Sequence, residues 1–306
     1  MNKHFVVVGA TGNIGSQLVH RLLQSGHRVT AVARASNRLN ALQAAGAETK
    51  AGNLQDTAFL TEALQGADAA FLMIPPNVGA PDNLAYQDEV GSSIAAAVRA
   101  AGLRQAVNLS SIGAELEAGT GPIVGVHRQE KRLNAVEGLN VVHLRPAYFM
   151  ENLLAGIPLI QGMGINGSAT RPDVAFPMIA TQDIAARAAE VLTTGVPAGH
   201  SEQLLLGPRN YTNQEATAIF GQAIGRPELP YVQFPYDQAK QGMMGAGLSE
   251  SMANLYIEMT QNLNEGRIMQ SEVRTPENTT PTTLEQFAEQ VFAPAFQGAS
   301  AAQPVA

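Results

Sequence analysis

The segment FVVVGATGNIGSQLV, residues 5–19, decides how this chain folds. Four apolar residues, Phe5–Val8, read as a buried strand. They run directly into three glycines, Gly9, Gly12 and Gly15, spaced by three. Beyond them Ile14, Leu18, Val19, Leu22 and Leu23 recur at helical period. Strand, glycine loop and amphipathic helix in that order form the context of a dinucleotide-binding turn. Gly9 allows a sharp exit from the strand. Gly12 lets the backbone approach a pyrophosphate, and Gly15 lets the helix pack close to the sheet. The backbone amides around Thr11, Gly12, Asn13 and Ile14 then face the phosphates at a helix N-terminus, where the dipole favours anions.

The pattern continues outward. Arg28–Ala33 and a short run at 48–51 read as strands. So do AAFLMI at 69–74, QAVNLSS at 105–111 and LNVVHLRP at 139–146. Helix-period segments separate them, at about 37–45, 57–65, 83–101 and 122–137. Apolar strands alternating with helices predict right-handed βαβ crossovers. The fold class is α/β, a doubly wound parallel Rossmann sheet with a smaller mixed α/β lobe on the substrate side. The expected division is a nucleotide-binding domain over 1–155 and the smaller lobe over 156–297, with a disordered tail at 298–306. In the second part, 158–168 read as loop. A helix follows 181–183, then a strand signal around 203–206, a capping box at Thr212–Glu215, an irregular strand at 230–236, and helices at 249–265 and 282–293.

Composition narrows the function. Of 306 residues, 45% are hydrophobic and 15% charged, with a formal net charge of −7. No dense Lys/Arg run exists and Trp is absent, so neither a nucleic-acid nor a membrane partner is expected. The chain has no cysteine, which removes disulfides, thiolate catalysis and cysteine–zinc sites, and fits a reducing cytoplasm. No stretch reads as a signal peptide or a span. The six histidines are dispersed, so no metal is expected. There is no GxSxG elbow of a hydrolase and no GK[ST] of a P-loop.

The second strand ends in TAVARASNR, 30–38. An NAD site places a carboxylate there for the ribose hydroxyls. Here Arg34 and Arg38 stand instead, around Ser36. Guanidinium suits a 2′-phosphate, so NADP(H) is expected in preference to NAD(H), with Arg34 as the main contact. The open alternative for Arg38 is a solvated charge at a helix start.

The spacing GxxGxxG resembles the short-chain dehydrogenases/reductases. Further stretches sharpen the resemblance: GNLQD at 52–56, NLSSIGA at 108–114, LRPAYFMEN at 144–152 and RTPENTTPTTLEQFAEQ at 274–290. Together they resemble the NmrA-like group of atypical members, well over about 1–160 and loosely beyond. The resemblance implies that Asn53 and Leu54 lie near adenine. It implies that Ile74, Pro75 and Pro76 line the loop after the fourth strand, and that Pro146, Ala147, Tyr148 and Phe149 lie near the nicotinamide. Core packing is the open alternative for Tyr148 and Phe149.

Many short-chain dehydrogenases use Tyr-x-x-x-Lys, but no Tyr lies between Tyr86 and Tyr148. The helix GPIVGVHRQEKRLNAVEGL, 121–139, offers His127-x-x-x-Lys131. His127 suits proton donation near neutrality, with plain packing as the alternative. Lys131 is a candidate for the cofactor ribose, with a solvated ion pair as the alternative. Ser110 and Ser111 are candidates for hydrogen bonds to substrate or nicotinamide. The expected activity is NADPH-dependent hydride transfer to a small apolar acceptor such as a quinone or a dye, which needs no strong acid. The competing reading is a cofactor-binding sensor that docks a partner protein. The Met-rich stretch at 242–259 is a candidate lid, with core packing as the alternative. No feature of the sequence speaks to a homo-oligomer.

Overall fold

The computed structural model describes residues 2–34, 37–269 and 272–301; of 299–301 only the backbone is described. Ser36 and residues 302–306 therefore lie outside the described residues. Contacts divide the chain into two compact units. The first comprises 1–118, 122–145 and 182–204. The second comprises 119–121, 146–181 and 205–306.

The first unit is built from β1 (His4–Val8), α1 (Asn13–Gln24), β2 (Arg28–Ala33), α2 (Asn40–Ala44), β3 (Glu48–Ala51), α3 (Thr57–Leu64), β4 (Ala69–Leu72), α4 (Asn83–Ala100), β5 (Gln105–Leu109), α5 (Ile123–Asn134) and β6 (Asn140–Pro146). Strands β1 to β6 pair parallel, with Phe5 against Val29 and Ala69, and Val107 against Val142. After β6 the chain leaves for β7 (Tyr148–Phe149), α6 (Ile157–Met163), β8 (Asn166–Ser168) and β9 (Ala175–Ile179). It returns through α7 (Thr181–Thr194) to β10 (His200–Leu205), which adds a seventh strand. The sheet order is β10-β6-β5-β4-β1-β2-β3. The order reverses beside β1, so this is the doubly wound arrangement. In sheets of this kind ligands lie outside the carboxyl ends of the strands at that switch point.

Both faces of the sheet are covered, as near-continuous apolar strands require. Val6 and Val8 of β1 join Leu72, Leu60, Val98 and Leu133 in one fully buried cluster under α3, α4 and α5. Phe5 and Val7, pointing the other way, are equally buried. Each such side chain contributes about 1.5–3 kcal/mol on burial. Helix ends follow local chemistry. Asp56 and Asp82 cap α3 and α4 through their side chains, and Gly26, at φ +79°, ends α1 ahead of β2.

The second unit continues with β11 (Asn210–Thr212), α8 (Asn213–Ala223), β12 (Tyr231–Gln233), α9 (Tyr236–Gly245), α10 (Glu250–Asn264), α11 (Leu284–Phe287) and α12 (Ala293–Ala301). It carries a three-stranded sheet, β11-β9-β7, and a two-stranded one, β12-β8. Phe220 and Phe292 stack at 3.9 Å in its core. Three sequence expectations change here. Residues 158–168 are not loop. Pro158 opens α6 at its first turn and Gly164, at φ +67°, stops it, so the loop-like residues are helix punctuation. The strand expected at 230–236 is confined to β12, and α9 follows it. The last helix runs past Pro294 because Ala288–Phe292 form one wide π turn ahead of the proline, so 298–301 are helical rather than tail. Among the described residues no helix is long and apolar enough to cross a membrane.

The tightest point of the first unit is the glycine loop. A Cβ on Gly15 would sit 2.2 Å from the Gly9 carbonyl oxygen and 2.8 Å from Ala10 Cα. The expected outcome of Gly15→Ala is a loss of about 1–3 kcal/mol, as for overpacking, read as a lower urea midpoint with an unchanged slope.

Candidate functional site

Gly9 leaves β1 at φ +75°, a conformation open to glycine, and a Cβ there would lie 2.3 Å from Met73 Sδ. The loop after β1 is thus packed directly on the loop after β4. Gly12 is different. A Cβ on it would meet only the Gly9 carbonyl oxygen, at 3.4 Å. The fold itself therefore does not demand glycine at 12. Gly12 is the N-cap of α1 and supplies no side-chain cap, and the first turn carries no acidic residue. The N–H groups of Asn13, Ile14 and Gly15 have no partner within the helix. Gly12 and Asn13 are exposed, Thr11 is half-buried, and Ile14 and Gly15 are buried. An open glycine over an uncapped helix end fits a pyrophosphate.

Arg34 follows β2, next to β1 in the sheet, and is exposed, as is Arg38. Neither makes an ion pair among the described residues. Glu48, the nearest carboxylate along the chain, lies 4.0 Å from Arg28. After β3, Asn53 accepts a hydrogen bond from the Gln55 amide through Oδ1, and Leu54 is buried. After β4, Ile74 and Pro75 are buried and Pro76 is exposed. The Tyr86 hydroxyl, from α4, donates to the Pro75 carbonyl at 3.1 Å and fixes that loop.

Beyond β5 the structure shows a cluster that the motif reading did not assemble. The Ser110 amide donates to the Leu144 carbonyl of β6, and its hydroxyl donates to Glu130 Oε1 at 2.5 Å. Arg145 grips the same carboxylate with two bonds, Nε to Oε1 at 2.9 Å and Nη2 to Oε2 at 2.6 Å. The Glu130 side chain is 6% exposed and that of Arg145 19%. Hydrogen bonds from the pair push the Arg145 guanidinium above its ordinary range. Glu115 lies 3.8 Å from its third nitrogen. A signal was present in the sequence. Glu130 falls on the buried stripe of α5 with Ile123, His127 and Leu133, and Arg145 is the one charge in β6.

His127 is buried, and its Nδ1 donates to the Ala114 carbonyl at 2.7 Å. Nε2 then faces Glu117 at 3.9 Å. Lys131, one turn on, is exposed and holds the same Glu117 at 2.6 Å, which keeps that carboxyl below its usual range. His127 and Lys131 therefore meet through a carboxylate that sequence reasoning did not name. His143 is fully buried behind β5 and β6, between Asn108 at 3.1 Å and Asn134 at 2.8 Å. Pro146, Ala147, Tyr148 and Phe149 belong to the second unit. There the Tyr148 ring stands edge-on to Phe176 at 5.4 Å, and burial raises its phenol.

The family model described as the NmrA-like family matches residues 1–288. The chain belongs to the NmrA-like family. The expected fold class and the expected family both stand. Its relatives include an NAD(P)H azoreductase of Xenophilus azovorans, 31% identical, over 83% of this chain and 85% of that one. A (4-alkanoyl-5-oxo-2,5-dihydrofuran-3-yl)methyl phosphate reductase of Streptomyces griseus is 30% identical, over 85% and 87%. Among solved structures, an NADPH-dependent quinone oxidoreductase of Escherichia coli complexed with NADPH superposes at a TM-score of 0.78. It is 23% identical and covers 94% of this chain and 99% of that one. The named relatives are reductases. At that identity the solved structure attests the fold.

Two outcomes test this cluster. Glu130→Ala leaves Arg145 without its buried partner and is expected to cost about 3–5 kcal/mol in urea unfolding. Glu117→Gln, on the exposed pair, leaves the urea midpoint nearly unchanged. The second outcome concerns pH. Burial lowers the His143 pKa from 6.5, against the opposing pull of Glu130 and Glu202. The unfolded chain then binds the proton more readily than the fold. Stability is full above about 6.5 and falls as the pH drops below it. His143→Gln is expected to flatten that acid limb in thermal melts between pH 7.5 and 5.

Proposed function

We propose that this NmrA-like chain is an NADPH-dependent reductase that passes hydride to a small, fairly apolar acceptor such as a quinone or a dye. The observation that carries the reading is the uncapped N-terminus of α1 under Gly12, with Arg34, which makes no ion pair among the described residues, at the end of β2. The helix amides and dipole suit the pyrophosphate, and the guanidinium suits a 2′-phosphate. The reductase names of the relatives support the activity class. Bound there, dihydronicotinamide supplies a hydride, two electrons and one proton. A quinone that takes it needs one further proton to become the hydroquinone, and water serves for such an acceptor. The chain's part is to hold the cofactor and orient the acceptor. His127 is the candidate proton donor. With Nδ1 tied to Ala114, a proton carried on Nε2 is the one it can give. Lys131 is a candidate ribose contact, for which it must exchange its bond to Glu117.

One observation favours the competing reading, a redox sensor that docks a partner protein. The Ser110 proton is committed to Glu130, and His127 rather than a tyrosine stands four residues before Lys131. Purified protein mixed with NADPH and a panel of quinones and azo dyes separates the two. Cofactor oxidation supports the reductase, and tight cofactor binding with no turnover across the panel supports the sensor. Arg34→Ala is expected to raise the KM for NADPH roughly tenfold or more, since hydrogen bonds to charged groups are worth about 1.5–3 kcal/mol, with little change for NADH. Equal changes for both cofactors overturn the assignment of Arg34.

A further inference from the structure

Glu130 and Arg145 do more than join α5 to β6. A serine hydroxyl has one proton to give and two lone pairs to offer. The Ser110 proton points at Glu130 Oε1, 2.5 Å away. The carboxylate is held in place by two further bonds from Arg145, so it cannot swing aside to release the hydroxyl. The Ser110 backbone is fixed as well, by its amide bond to Leu144. What remains of the hydroxyl is acceptor only. Ser110 is the first residue beyond β5, at the carboxyl edge where ligands of a doubly wound sheet lie. Its neighbour strand β4 runs out to Met73, whose sulfur packs on Gly9.

We infer that Ser110 faces its ligand as a hydrogen-bond acceptor, with Glu130 and Arg145 as the positioning residues that fix this polarity. An acceptor there selects an N–H donor. In a reduced nicotinamide dinucleotide the N–H donor at the reactive end is the carboxamide NH₂. The inference therefore rests on the NADPH reading above and gives it a specific contact. Ser110 accepts a hydrogen bond from the carboxamide N–H and so fixes the rotation of that group. It does not protonate the acceptor.

The test compares two cofactors that differ in this group alone. NADPH carries –CONH₂, and its 3-acetylpyridine analogue carries –COCH₃, which keeps the carbonyl and loses the donor. Both are titrated by calorimetry into wild type, Ser110→Ala, Ser110→Thr and Glu130→Gln, with a thermal melt of each protein. Wild type is expected to prefer NADPH over the analogue by roughly tenfold, the worth of one hydrogen bond of ordinary strength in a closed site. Ser110→Ala abolishes the preference by weakening NADPH alone, and Ser110→Thr, which keeps the hydroxyl, restores it. Glu130→Gln, which leaves the Arg145 fork and the Ser110 hydroxyl one acceptor oxygen instead of two and so loosens the hold on the hydroxyl, reduces the preference when titrated below its melting point. A residue with only a structural role shifts both cofactors together and leaves their ratio alone. The inference is overturned if Ser110→Ala changes both affinities equally or neither. It is also overturned if turnover falls in Ser110→Ala while the ratio holds, which marks Ser110 as a donor to substrate. Wild type that binds neither cofactor removes the NADPH reading itself. Wild type that binds NADPH but does not discriminate removes only the contact.

Discussion

The first unit is organised around one close approach. The backbone of Gly15 rests against the carbonyl of Gly9, at a distance that admits no side chain. That contact places the first turn of α1 immediately over the end of β1. It fixes where the free amides of the helix point, and it draws the loop after β4 inward, since Met73 fills the space that a side chain on Gly9 would need. The relative positions of two strand ends, those of β1 and β4, follow from those two glycines. Gly12 shares the motif but not the constraint. Its Cβ position is open, so its reason for being glycine lies outside the fold, in whatever approaches the helix end.

A second constraint works two strands away. Burying a carboxylate is costly unless it is paired and hydrogen-bonded. Glu130 meets that condition with three donors from β6 and the end of β5. The ion pair ties α5 to the sheet at the carboxyl end of β6. By contrast, Lys131 and Glu117 form an exposed pair whose energy is small and whose geometry can change. The two charged pairs on α5 are one residue apart in sequence and opposite in character. Glu130–Arg145 is buried and fixed, and Lys131–Glu117 is open to solvent.

The sheet was legible because its signals are local. Arg28–Ala33 matched the structure to the residue, since an apolar strand bounded by polar turns reads from neighbours alone, and the polar Glu48–Ala51 was placed by its position between two helix-period segments. The second unit was less legible for the opposite reason. Strands β7, β9 and β11 are short and acquire their structure from pairing with distant segments, such as Tyr148 with Met178. Gly162, Gly164 and Gly167 look like loop until Pro158 is recognised as a helix start. At the candidate site, a motif proposes residues one at a time, as it does Gly9, Gly15, Arg34, Ser110 and His127. What the motif did not carry was the partner of each. Glu130 reaches Ser110 across 20 residues and Arg145 across 15. Only the register of α5 against β6 brings them together.

That gap also changes what a serine at this position means. By sequence, Ser110 stands where a reductase's hydroxyl is expected to serve substrate or nicotinamide, and a hydroxyl is ambivalent until its neighbours are known. The neighbours here remove the ambivalence. A carboxylate locked by a guanidinium accepts, so the hydroxyl beside it donates inward and accepts outward. The same logic leaves His127, whose Nδ1 proton is spent on a backbone carbonyl, with Nε2 as its one exchangeable position. The missing tyrosine is thus not replaced by another fixed donor at the strand end. On the reading proposed above, the strand end offers an acceptor with a histidine to one side, which suits substrates for which hydride, rather than proton, delivery is the demanding step.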